Sequence, residues 1–142
     1  LRIAKAFKVG LHTFFQEEGD TEKCVLVRAG ESRKLPRRAH WGSAPPYIYH
    51  SLASGKRYCN LEPFLVEFEA REWRDALQVS HEGEEFLFLL EGKLESITAL
   101  RGDEVMLMGP GDSVYYDSNE PHGYVAVGEV PPRAVAVIYS KD

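Results

Sequence analysis

Apolar residues recur along this chain with two different periods. From Leu1 to Glu18, LRIAKAFKVGLHTFFQEE, they fall at positions 1, 3, 4, 7, 11, 14 and 15, a helical spacing that Val9-Gly10 interrupts. The pattern predicts two short helices with a turn between them. Two such helices cannot bury their apolar face alone. The chain also opens at Leu1, inside the helical pattern and not at a methionine, so a fragment of something longer is expected.

After Glu17-Glu18-Gly19-Asp20 the period drops to two. Lys23 to Arg28, KCVLVR, reads as a strand, and Ala29-Gly30-Glu31 as a turn. Arg33 to Ala44 is basic and polar and reads as loop or extended chain. Tyr47 to Ala53 and Leu61 to Ala70 are strands, the second with Pro63 near its start, where proline is tolerated. Then the spacing becomes regular. Glu85 to Leu90 and Leu94 to Leu100 flank Glu91-Gly92-Lys93. Glu104 to Met108 and Ser113 to Tyr116 flank Gly109-Pro110-Gly111-Asp112. Gly123 to Val127 and Ala134 to Tyr139 flank a Gly-Glu-Val-Pro-Pro loop. Short strands separated by glycine turns predict an all-β sandwich or barrel, with nothing helical after residue 20.

Composition narrows the class. The 142 residues are the size of one ordinary domain, and 44% apolar with 27% charged residues is globular usage. A net charge of −5 argues against binding nucleic acid through the overall field, and the basic run Arg33-Lys34 with Arg37-Arg38 reads as a solvated linker. Cys24 and Cys59 have the spacing of neither a metal knuckle nor a redox pair. No run reaches the ~18 apolar residues of a membrane span and no signal-peptide pattern is present, so a cytoplasmic protein with no membrane partner is expected.

The chemistry-bearing residues lie in two distant stretches. His81 and Glu85 stand at the mouth of the apolar strand that closes on Glu91-Gly92, and His122 follows a second strand after a Gly-Asp turn. Two imidazoles and one carboxylate, brought together from two hairpins, make a three-ligand divalent metal site with open positions. Iron, zinc, nickel, cobalt and manganese all suit such ligands. The same three side chains would also serve as a hydrogen-bonded polar cluster without a metal. Tyr124 is two residues beyond His122 and shares its face in a regular strand. Of Tyr115 and Tyr116, at most one looks inward.

Taken together, the two stretches resemble the cupin family, a double-stranded β-helix or jelly-roll barrel. The match is carried by His81, Glu85 four residues later and Gly92 seven residues after that, then by Gly111 and His122. Val79 stands where a further histidine is usual, and Asp117 and Asn119 replace the proline and glycine of the second motif. The resemblance implies a cupin domain over residues 20–142 with a facial triad of His81, Glu85 and His122, suited to non-haem iron. Gln78, beside Val79, is a further candidate contact, though its parity differs. The segment Ile3-Ala4-Lys5-Ala6-Phe7, Val9, Leu11 and Phe14-Phe15 resembles the last helices of phage-repressor-like helix-turn-helix domains, which makes residues 1–19 the remnant of such a domain. The site also resembles that of the iron-dependent hydroxypropylphosphonate epoxidases, and by that resemblance Tyr47 and Tyr49 line the pocket.

These resemblances imply a ligand- or metal-sensing domain of a transcriptional regulator, with a small-molecule effector in the barrel. DNA would be bound by a helix-turn-helix domain upstream of residue 1, and a homodimer is the family expectation. The alternative is a mononuclear non-haem metal enzyme, an oxygenase, epoxidase or isomerase.

Overall fold

The computed structural model describes residues 23–34, 47–56, 58–72, 82–98 and 104–140. Among these residues nine strands carry the fold: β1 (Arg33–Lys34), β2 (Tyr47–Ser51), β3 (Glu62–Phe68), β4 (Gly83–Glu91), β5 (Lys93–Thr98), β6 (Val105–Met108), β7 (Ser113–Asp117), β8 (His122–Val127) and β9 (Arg133–Ser140). They form a six-stranded sheet in the order β1-β2-β3-β9-β4-β7 and a three-stranded sheet in the order β6-β5-β8. Every ladder is antiparallel. The architecture is all-β, two antiparallel sheets facing each other across one core, as expected.

The two-residue period decides which side chains enter the core. On β3, Phe64, Val66 and Phe68 are buried while Leu65 and Glu67 between them are not. On β4, Leu87 and Leu89 point inward and Phe88 and Leu90 outward. These residues meet Leu94, Met108, Tyr124 and Ala126 from the smaller sheet in one apolar cluster. The core therefore lies between the sheets, and both contribute to it.

The chain passes from one sheet to the other at Gly92, between β4 and β5. Its φ of +80° lies in the left-handed region that favours glycine. The Pro132 backbone also packs against it, so a Cβ there would stand 2.6 Å from Pro132 Cα. The turn Gly109–Asp112 is fastened to β4 by Gly111 N–H donating to Leu89 O (2.8 Å) and Leu89 N–H donating to Asp112 O (2.9 Å). It delivers β7 against β4, with Glu85 opposite Tyr116.

Most strand expectations hold to within a residue or two, and one does not. Lys23 to Arg28 forms no strand, and its Leu26 is 72% exposed. The added strand is instead β1, at the start of the stretch read as loop or extended chain, where Arg33 pairs with Ser51 and Lys34 with His50. Apolar alternation makes a segment competent for a sheet, but a free edge in register decides which segment is taken. The helical pattern of residues 1–18, the 19/20 domain boundary, and the basic pair Arg37-Arg38 lie outside the described residues. Among the described residues no helix is long and apolar enough to cross a membrane.

Candidate metal centre

The site forms where the inner faces of the two sheets approach each other. Glu85 belongs to β4 of the large sheet and His122 to β8 of the small one. His122 Nε2 lies 2.9 Å from Glu85 Oε1, with side-chain exposures of 5% and 12%. The same carboxylate oxygen accepts from the Tyr116 hydroxyl at 3.2 Å and from the Ser118 hydroxyl at 3.4 Å. Residues 37 apart in sequence thus meet because β4 pairs with β7 while β8 closes the opposite wall.

The tautomer of His122 follows from its second contact. Nδ1 is 2.8 Å from the carbonyl oxygen of Glu120. A carbonyl only accepts, so Nδ1 carries the proton and Nε2 faces the carboxylate. Histidines that ligate metals are held in this way, with the far nitrogen donating to a carbonyl or carboxylate. A gap of 2.9 Å also matches the ~3 Å edge between neighbouring ligands that each sit ~2.1 Å from one ion. The Glu85 oxygen and the His122 nitrogen therefore fit two adjacent positions around a divalent ion. In the absence of an ion, the same geometry suits an imidazolium–carboxylate pair.

Four tyrosines surround this pair. The Tyr116 and Tyr124 hydroxyls are 2.7 Å apart. Each hydroxyl has one hydrogen, so when Tyr116 donates to Glu85, Tyr124 donates to Tyr116. Tyr47 accepts the Tyr124 N–H at 2.9 Å, stapling β2 of one sheet to β8 of the other. The Tyr47 ring meets Phe68 edge-on at 5.6 Å, and the Tyr49 ring meets Phe64 edge-on at 5.2 Å. Shielding from water raises the hydroxyl pKa of Tyr49, Tyr116 and Tyr124 well above the ordinary tyrosine value, and the Glu85 charge pushes the same way. Tyr47 is raised by the same burial, opposed by its bond to the Tyr124 backbone. At neutral pH all four stay protonated.

That shift has a measurable consequence. An unfolded tyrosine ionises near pH 10, whereas these four remain neutral in the fold, so the folded state holds more protons above that pH. Their contribution to stability is complete below pH 10 and is lost as pH rises beyond it, by about 1.4 kcal/mol per pH unit for each group. Absorbance of tyrosinate and circular dichroism followed from pH 9 to 12 should show these tyrosines ionising together with unfolding. Smooth ionisation of all seven tyrosines with the fold intact would contradict the burial of the four.

Of the residues singled out from the sequence, the structure brings Glu85, His122, Tyr47 and Tyr124 together, with Tyr49 alongside Tyr47. His81 and Gln78, together with Val79, lie outside the described residues. Among the described residues no group of three or more His, Cys, Asp or Glu is placed to hold a metal. His50 pairs with Glu67 at 2.7 Å, away from the centre. Tyr116 and Ser118 are the site residues that sequence reasoning missed. Parity left one of Tyr115 and Tyr116 facing inward, and the β4–β7 register, invisible in the sequence, settles on Tyr116, with Tyr115 66% exposed and bonded to Glu84.

Two facing antiparallel sheets with a histidine and a glutamate meeting at the inner wall define the class, and the chain belongs to the cupin family. Residues 64–138, a little over half of the sequence, match the cupin domain. Over 121 residues the chain is 26% identical to (S)-2-hydroxypropylphosphonic acid epoxidase of Streptomyces wedmorensis, covering 83% of this chain and 61% of that enzyme. The fold matches the crystal structure of FeII HppE at 24% identity and TM-score 0.64, over 82% of this chain and 60% of that one. It also matches CoII HppE in complex with substrate at 24% identity and TM-score 0.62, over 84% and 61% of the two chains. The chain thus spans about three fifths of the length of these relatives.

Proposed function

We propose that this cupin is a mononuclear non-haem metal enzyme of the oxygenase or epoxidase kind, acting on a small polar substrate, with iron held by His81, Glu85 and His122. The observation that carries this reading is the Glu85–His122 pair, spaced 2.9 Å apart with the histidine tautomer fixed by Glu120. An epoxidase relative at 26% identity, whose fold is known with Fe(II) and Co(II), supports it over the regulator. The regulator reading and its DNA partner rest on the resemblance of the N-terminal segment, and the homodimer rests on the expectation for the cupin family.

When bound between three protein ligands, such an ion supplies Lewis-acid and redox chemistry and leaves positions for substrate and dioxygen. The protein's part is to position and to exclude water. Tyr116 and Ser118 hold the Glu85 carboxylate by its Oε1, and the Glu120 carbonyl holds the His122 ring. The Tyr124-to-Tyr116 hydroxyl chain ends on that same oxygen and keeps a donor beside it. Tyr47 and Tyr49 with Phe64 and Phe68 form an aromatic wall next to the centre. On this reading Tyr47, Tyr49, Tyr124 and Gln78 face or support the substrate.

Anaerobic loading with Fe(II), followed by oxygen-uptake measurements with short hydroxyphosphonates and hydroxy acids, tests the proposal. Uptake that depends on both iron and one of these substrates is expected. Protein that carries stoichiometric iron yet consumes no oxygen with any of them, while the full chain retards DNA in a gel, would return the regulator reading.

A further inference from the structure

The outer face of the six-stranded sheet is too apolar for a face left to water. An antiparallel sheet with one packed and one solvated face alternates apolar with polar side chains. Here the outward positions of β3, β9 and β4 are apolar as well. In one row across the sheet Leu65 stands opposite Val135, and Val135 opposite Phe88. In the next, Pro63 stands opposite Val137, Val137 opposite Phe86 and Phe86 opposite Tyr115. Phe88 and Tyr115 are 37% and 66% exposed. Strands about 4.8 Å apart make the patch about 15 Å across, wide enough to seat a helix about 10 Å in diameter. Contiguous apolar patches of this kind mark interaction surfaces.

The rim of the patch says what it suits. Glu84 and Asp117 stand directly opposite each other on β4 and β7, and no cation pairs with either among the described residues. Like charges placed in this way destabilise a sheet, so a cation brought alongside them is favoured. At the other end Arg133 is paired with Glu91, and Glu67 with His50. A second copy would set the same acidic rim against this one and be repelled. Residues 1–8, LRIAKAFK, have the complementary character. Leu1, Ile3, Ala4 and Phe7 recur at helical spacing, and the charges are Arg2, Lys5 and Lys8. Reach is ample. β4 lies four strand spacings from β1, about 19 Å, and the 24 residues between Lys8 and Arg33 span up to about 80 Å. Ile48, opposite Glu67 on the same outer face, is covered to 6% exposure at the end where β1 joins the sheet.

We propose that the outer face of the large sheet is the docking surface for residues 1–8 of the same chain, held there as a basic amphipathic helix. Ile3 and Phe7 seat on Val135, Val137, Phe86 and Phe88, and Lys5 and Lys8 reach the acidic end at Glu84 and Asp117. Glu85 and the core lie on the opposite face of this sheet, so the assignment does not depend on the catalytic reading.

Two measurements on the full chain test it. The first is the rate at which iodoacetamide modifies a single thiol, with Cys24 and Cys59 replaced by serine. Val135→Cys places the thiol at the centre of the patch, and Leu107→Cys places it on the other sheet as a reference. Adding Ile3→Asp and Phe7→Asp should speed modification at position 135 about tenfold and leave position 107 unchanged. An unchanged rate at position 135 would overturn the proposal. The second is zero-length carbodiimide crosslinking of the unsubstituted chain, which decides independently of how the variants fold. Crosslinks from Lys5 or Lys8 to Glu84 or Asp117 within one chain are expected. Absence of any such crosslink would overturn the proposal. Crosslinks found only in dimers, and fading on dilution, would also overturn it and assign the face to a second copy.

Discussion

Glu85→Gln should abolish iron- and substrate-dependent oxygen uptake, by at least about a hundredfold, while the protein remains folded. The amide has the shape of the carboxylate and still accepts from Tyr116 and Ser118. It lacks the charge that balances a divalent ion and an imidazole only 2.9 Å away. Glu85→Ala should lose the same activity and also lose stability, by about 3 kcal/mol, because His122, Tyr116 and Ser118 would all give up one shared acceptor inside the protein. Denaturant titration of the two variants separates these effects. Retention of substrate-dependent uptake by Glu85→Gln would show that the carboxylate does not belong to the reacting centre.

The second large effect is expected far from any chemistry. Gly92→Ala places a methyl group 2.6 Å from Pro132 Cα and 2.9 Å from Val130 O, both backbone atoms that cannot swing aside. It also forces a residue with a Cβ into φ +80°. The strain in φ alone is worth about 1–2 kcal/mol. The clash at the crossing between the two sheets adds to it, and a total near 3 kcal/mol lowers the melting midpoint by about 10 °C. Gly111→Ala is the control, since Gly111 has φ +92° with nothing within 4 Å of its Cβ position. It should lose only the strain. Equal losses in the two variants would mean that the crossing at Gly92 is not closely packed.

Much of the barrel was legible because each strand from β2 to β9 is bracketed by its own turn residues. Gly92, Gly111 and Gly128 all adopt positive φ at or beside turns named from the sequence. Glu85 and His122 were legible because the spacing around them follows a family pattern. Contacts set by register were not. The inward turn of Tyr116 and the reach of Ser118 to Glu85 depend on which strands lie side by side. Tyr47 shows the same gap: its hydroxyl, expected to line the pocket, is engaged with the backbone of Tyr124, 77 residues away. Lys23 to Arg28 fails in the opposite direction, with a β-rich run that the structure leaves outside both sheets.

The claim that Glu85 and His122 form part of a mononuclear metal centre is tested most directly by metal stoichiometry. Wild type, Glu85→Gln and His122→Asn would be dialysed anaerobically against Fe(II), and separately against Co(II), and bound metal counted per chain. One ion per wild-type chain is predicted, with both variants losing it at the same free-metal concentration. Wild type that binds no ion, or variants that bind as much as wild type, would contradict the account and leave the pair as a metal-free imidazolium–carboxylate contact.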